Sequence, residues 1–179
     1  MATAQELNIQ IERITPQRVA EVYEALHESL DDLYPRGISH PELTIEEVEK
    51  IAKQFHTEWD LDQTYGFYAV DATTNHLLGV VQLNQVNRFN QMANLFYWVR
   101  SSRSGQGIIT RAAKLAVKYG FEKLALRRIE IVVQEDNEPS LRVAEKLGAR
   151  REGLLRNRLL IHGTSYHAYM HSLIPEDME

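Results

Sequence analysis

The sequence predicts an α+β fold in one domain, with a mixed, mostly antiparallel sheet flanked by helices. Three observations lead there. Apolar–polar alternation recurs in neighbouring segments parted only by a short polar turn, at 65–86 and again at 153–174, as hairpins do. Helical patterns fall at irregular intervals, so the repeated strand–helix order of a parallel sheet is absent. The 179 residues contain no repeat, linker or low-complexity tract and suffice for one substantial core, so 1–179 reads as a single domain.

The elements follow in order. "LNIQIERI" (7–14) alternates like a strand with one buried face. Pro16 opens a helix, with Val19, Val22, Tyr23, Leu26 and Leu30 at helical spacing, that should end before Pro35. After the loop "PRGISHPELT", Thr44 and Glu47 form a capping box for a second helix. "YGFYAVDATTNHLLGVVQLNQV" reads as two strands around the turn "DATTNH", and "ANLFYWVR" as a third. A helix should run from Gly107 to Tyr119, with Gly120 as its stop. A strand (127–134), a short helix (138–148) and two closing strands turning at His162-Gly163 complete the chain.

Composition narrows the function. The net charge of −5 argues against a dedicated nucleic-acid binder. No cysteine is present, which removes thiolate nucleophiles and cysteine metal sites. "MATAQELNIQ" lacks a basic flank and an apolar run, and no stretch approaches a membrane span. A cytoplasmic protein without nucleic-acid or membrane partners is therefore expected. His162, His167 and His171 gather near the C-terminus, but without an H-E-x-x-H helix they read as surface or structural, and no metal is expected.

The informative stretch is "WVRSSRSGQGIITRAAKLAVKYG". It is no Walker A loop, because Ile108 rather than lysine follows Gly107. It is a poor dinucleotide fingerprint, because Thr110 holds the third glycine position. A plain glycine turn remains open. The context favours more: a strand ends at Arg100, a polar loop with Arg103 follows, and a helix begins within a few residues. The first N–H groups of a helix have no internal partners and carry partial positive charge, so this junction suits a phosphate or pyrophosphate.

"RSGQGIIT", followed about thirty residues later by "NEPSLRVAEKLGARREG", resembles the GNAT superfamily of N-acetyltransferases, and within it the RimJ/RimL branch of ribosomal-protein N-terminal acetyltransferases. The family's Gln/Arg-x-x-Gly-x-Gly/Ala motif falls on Ser104 to Ile109, with Gly107 central; Ser104 and Ile109 depart from it. The resemblance implies a splayed central strand pair, acetyl-CoA as cosubstrate and an amine acceptor. It places the cofactor's pyrophosphate on the run Arg103, Ser104, Gly105, Gln106, Gly107, Ile108, Ile109 and Thr110, its pantetheine along the backbone of Trp98 and Val99, and Asn137 beside the arm. Trp98 also reads as a core aromatic, and Asn137 as a helix N-cap. Ser140 stands where the branch carries a serine that protonates the leaving thiolate; Ala144 occupies the position where many relatives use tyrosine.

The acceptor side is less defined. Glu130 is either a base or a solvated carboxylate, and Ala168 replaces an aspartate common in relatives. Asp31 and Asp32 would favour a cationic amine or are merely solvated; Tyr34 would cover the groove or pack the core. A protein or peptide N-terminus is expected, one beginning with a small or hydroxyl residue. A polyamine or antibiotic amine, and a non-catalytic acyl-CoA sensor, stay open, as does a homodimer.

Overall fold

A computed structural model describes residues 7–178, so most of the segment read for a leader lies outside the described residues. Strands β1 (Ile9–Arg13), β2 (Tyr65–Asp71), β3 (Leu77–Asn87), β4 (Met92–Val99), β5 (Arg128–Gln134), β6 (Arg150–Ile161) and β7 (Thr164–Leu173) form a seven-stranded sheet in the order β1-β2-β3-β4-β5-β7-β6. Every neighbouring pair is antiparallel except β4 and β5. Helices α1 (Val19–Glu28), α2 (Leu30–Leu33) and α3 (Ile45–Asp60) precede β2, while α4 (Ile108–Glu122) and α5 (Glu138–Lys146) flank β5 in sequence.

Two cores follow from the pleat. Val81, Leu83 and Leu95 pack with Ala112, Ala116 and Val117 of α4 and Leu141 of α5. Their strand neighbours Val80, Phe96 and Trp98 pack instead with Leu26 of α1 and Val48 of α3. Alternate residues thus serve opposite faces, and β2, with helices on both, is buried along its whole length.

The central feature is the β4–β5 pair. It is bonded only over Met92–Asn94 against Arg128–Glu130, while both strands run on, to Val99 and Gln134. β5 instead pairs along its length with β7, so a wedge opens beside β4. The expected splay is present.

Local signals held at the capping box, where Thr44 Oγ1 accepts from Glu47 N and Glu47 reaches back to Thr44 N. They also held at the His162-Gly163 turn, where both residues have the positive φ that a tight hairpin needs. Two readings need correction. The helix from Pro16 divides into a 3-10 turn, α1 and α2, with a break at Ser29, whose buried hydroxyl accepts from Ser101 N at 3.0 Å. Gly120 is no stop. It lies inside α4, where a Cβ would sit 2.9 Å from Ile129 Cδ1 and 3.0 Å from Leu83 Cδ1, so it lets the helix approach the sheet.

Candidate active site

The splay opens into a cavity of about 340 Å³. Its outer wall is the loop from Arg100 to Gly107, held to α1 and α2 by polar contacts. Arg100, 3% exposed, donates to Glu28 at 2.7 Å and Glu24 at 3.4 Å. Glu28 also accepts from Ser102 N at 3.1 Å, and Ser101 Oγ donates to Asp32. The Ser102 hydrogen bonds, with Arg100 beside them, hold the Glu28 carboxyl below the usual carboxylate range. A buried, hydrogen-bonded cation of this kind fixes geometry.

Gly105 and Gly107 have φ of +75° and +72°, and nothing lies within 4 Å of where either Cβ would stand. Both reasons for glycine therefore apply: the left-handed backbone, and open space in front of it. Gly107 caps α4 without a side-chain acceptor, so the first-turn N–H groups of Ile108, Ile109 and Thr110 receive no cap. Ile108 and Ile109 are buried, and their side chains form the cavity floor. Arg103 and Lys146 line the cavity without an ion-pair partner among the described residues; Arg142 has only Glu138, at 4.0 Å. An uncapped helix start, clear space and spare cations fit a pyrophosphate-bearing cofactor.

Opposite the glycines stands α5. Asn137 caps it, as the N-cap reading expects, accepting from Ser140 N at 3.3 Å, and it also lines the cavity. Ser140 Oγ lies 3.0 Å from the hydroxyl of Tyr97, which also donates to Ser140 O at 3.2 Å. Burial pushes the Tyr97 hydroxyl up to about 12, so it stays protonated across the working range. Ser104, Trp98 and Val99 line the same space, whereas Gln106 does not; its amide leans on Ser102 O at 3.5 Å.

Sequence reasoning passed over Tyr97 and the basic face of α5. A signal existed for the second: Pro139, Arg142, Val143 and Lys146 repeat at helical spacing and all face the cavity.

A second cavity, of about 410 Å³, lies on the α1/α3 face and shares Arg36, Ile38 and Trp98 with the first. Trp98 is thus a core residue, 7% exposed, and also the partition between two cavities. Arg36 spans the wedge from the α2 loop, donating to Gln134 at 3.0 Å and Asp136 at 2.8 Å.

Other candidates fall elsewhere. Glu130 is bound to Arg128 at 2.9 Å and lines neither cavity. Asp31 lines neither, whereas Asp32 does line the first cavity, where it is engaged by Ser101. Tyr34 neither roofs the groove nor fills the core; it stacks on His162 at 4.3 Å, whose Nε2 meets Tyr34 O at 2.7 Å. His167 Nδ1 accepts from Asn157 N, and burial lowers the pKa of His171. No group of three or more side chains placed to hold a metal occurs among the described residues, and none of their helices is long and apolar enough to cross a membrane.

The family model for the acetyltransferase (GNAT) domain matches residues 9–150. The Probable N-acetyltransferase YjcK of Bacillus subtilis is 35% identical over 136 residues, 75% of each chain. Two Escherichia coli enzymes match over less than half their length: Spermidine N(1)-acetyltransferase (35% over 85 residues, 48% of this chain and 46% of that one) and Ribosomal-protein-serine acetyltransferase (34% over 82 residues, 46% of each). Mycobacterium smegmatis RimJ, solved with CoA-disulfide, superposes with a TM-score of 0.86 at 22% identity, over 94% of this chain and 83% of that one. Together with the splayed sheet and the glycine loop, these matches show that the chain belongs to the GNAT family of acetyl-CoA-dependent N-acetyltransferases.

Proposed function

We propose that the chain, acting as one catalytic domain, acetylates the α-amine of a protein or peptide. The observation that carries the reading is the wedge between β4 and β5, beside which the cavity under the glycine loop and the one under α1 and α3 share Arg36, Ile38 and Trp98 as common wall. Acetyl-CoA, when bound, supplies an activated acyl carbon and a thiolate leaving group. The loop from Arg103 to Thr110 takes the diphosphate through its N–H groups, with Gln106 contributing backbone only. Free main chain at Trp98 and Val99 orients the arm, and an N–H there offsets negative charge growing on the acyl oxygen, a contribution that is often the largest in acyl transfer. Asn137 sets the start of α5 and so the place of Ser140. Ser140 Oγ donates its proton to the departing sulfur and is itself held by Tyr97 Oη.

No titratable side chain other than Arg36 and Tyr68 lines the second cavity, so no general base stands there. That suits an α-amine, whose pKa near 8 leaves on the order of 10²-fold more free base at neutral pH than a lysine near 10.4. The E. coli relative that acts on a ribosomal-protein serine supports the same acceptor class, and a cytoplasmic place of action goes with it. Spermidine, the substrate in the other relative's name, would call for carboxylates along the acceptor path, and the second cavity has none.

The reading is tested by incubating the protein with acetyl-CoA and a short peptide with a free N-terminus and following CoA release. Release that needs the free α-amine is expected. CoA binding without release for any amine would leave a sensor module.

A further inference from the structure

The second cavity has a chemistry of its own. Its wall is hydrocarbon from both faces of a cleft: Val22 and Leu26 of α1, Val48 and Phe55 of α3, Val80 and Phe96 of the sheet. No carboxylate lines it, and the one cation, Arg36, already holds Asp136, so nothing in the wall is left to attract a second positive charge. Gln82 stands out. It is 5% exposed, lines the cavity, and its side-chain amide has no hydrogen-bond partner among the described residues. The amide opens on the cavity and meets no protein partner among these residues, so it is placed to bond a ligand held there.

Position adds to this. The cross-strand pairs Val80–Trp98 and Gln82–Phe96 share a face, so Gln82 lies one pair along from the partition at Trp98. That offset is about 6.6 Å of extended chain, within reach of the first peptide group of an acceptor whose amine sits at the wedge.

We propose that this cavity is the acceptor's specificity pocket. It takes an uncharged apolar group on the carbon beside the reacting amine, while Gln82 holds the first peptide group. Preferred acceptors are then α-amines of chains beginning with valine, leucine or isoleucine, rather than the small or hydroxyl residues the sequence suggested, and not polyamines. This rests on the α-amine reading above.

The test is calorimetric titration of the CoA-bound protein with Leu-Gly-amide, Ser-Gly-amide, 3-methylbutylamine and spermidine, with CoA release from acetyl-CoA measured in parallel. Each buried methylene is worth about 4-fold, so Leu-Gly-amide should bind at least tenfold tighter than Ser-Gly-amide, and spermidine weakest of all. Gln82→Leu should weaken Leu-Gly-amide several-fold and leave 3-methylbutylamine unchanged. Ile51→Asp, at a cavity residue 43% exposed and so tolerant of change, should lose Leu-Gly-amide and gain spermidine. Equal or tighter binding of Ser-Gly-amide or spermidine by the unaltered protein, or no binding of Leu-Gly-amide, overturns the pocket. Faster CoA release with Ser-Gly-amide than with Leu-Gly-amide overturns the pocket but keeps α-amine transfer. The expected binding order without release keeps the pocket and removes transfer.

Discussion

On the α4/α5 side of β4 the cavity is walled by backbone N–H groups, two left-handed glycines and spare cations. On the α1/α3 side, one residue away through the pleat, it is walled mostly by hydrocarbon, with the buried amide of Gln82 and no carboxylate. The same strand serves both, with Tyr97 turned to Ser140 and Trp98 to the apolar core. The contrast is instructive. An anionic, family-wide cosubstrate can be held by main chain, which tolerates side-chain change, whereas an acceptor is chosen by side chains. Departures from the motif at Ser104 and Ile109 should therefore leave the cofactor side workable, while substitutions on the other face should change what is accepted.

The largest expected effect separates the two cavities. Gly107→Val forces a β-branched residue to φ +72° and puts its methyls into the open space. CoA at about 100 times its Kd should stabilise the unaltered protein by about 2.7 kcal/mol, a rise of roughly 5–10 °C in Tm. The variant should fold and show no rise, a result read by thermal melts with and without CoA. Next is Ser140→Ala, which should keep the CoA-induced rise and lower kcat by up to about 10²-fold. Tyr97→Phe should lower it less, since Ser140 keeps its own proton. Because Tyr97 is held near 12, the pH–rate profile should show no tyrosine step below pH 10.

Smaller effects lie in the supports. Glu28 has a depressed pKa, so its contribution is complete above its ordinary value near 4.5 and fades as pH falls through the folded value. CoA affinity of the unaltered protein should drop below about pH 4.5 as the Arg100 clamp loosens, and Glu28→Gln should weaken CoA at neutral pH and flatten that dependence. Smallest is Glu152→Gln, remote from both cavities. Arg128, at 2.5 Å, with Ser172 holds the Glu152 carboxyl down at about 2. Its contribution is thus lost between pH 4.5 and 2. Because the carboxylate is 38% exposed, the variant should cost only about 1 kcal/mol at neutral pH and leave the CoA response intact.

How far the sequence revealed this differs between the same two faces. The glycine junction and the helix start at Asn137 are local: turn geometry, capping and spacing lie within a few residues, and the splay came with the resemblance. The acceptor pocket is assembled from α1, α3 and three strands, so no window of sequence contains it. Gln82 sits in an alternating strand where its side-chain amide could as well have met solvent. Asp32 looked like an acceptor feature because its engagement with Ser101, about seventy residues on, is invisible locally. Gly120 misled in the same way: a stop by composition, a packing contact by its distance to Ile129.

The central claim is that the wedge delivers an α-amine, and the most direct measurement is to give the protein one peptide carrying both a free N-terminus and an internal lysine. After limited turnover with acetyl-CoA at pH 7, fragmentation mass spectrometry locates the acetyl group. Acetyl is expected on the α-nitrogen, with the lysine essentially unmodified. Acetyl placed chiefly on the lysine side chain would contradict it.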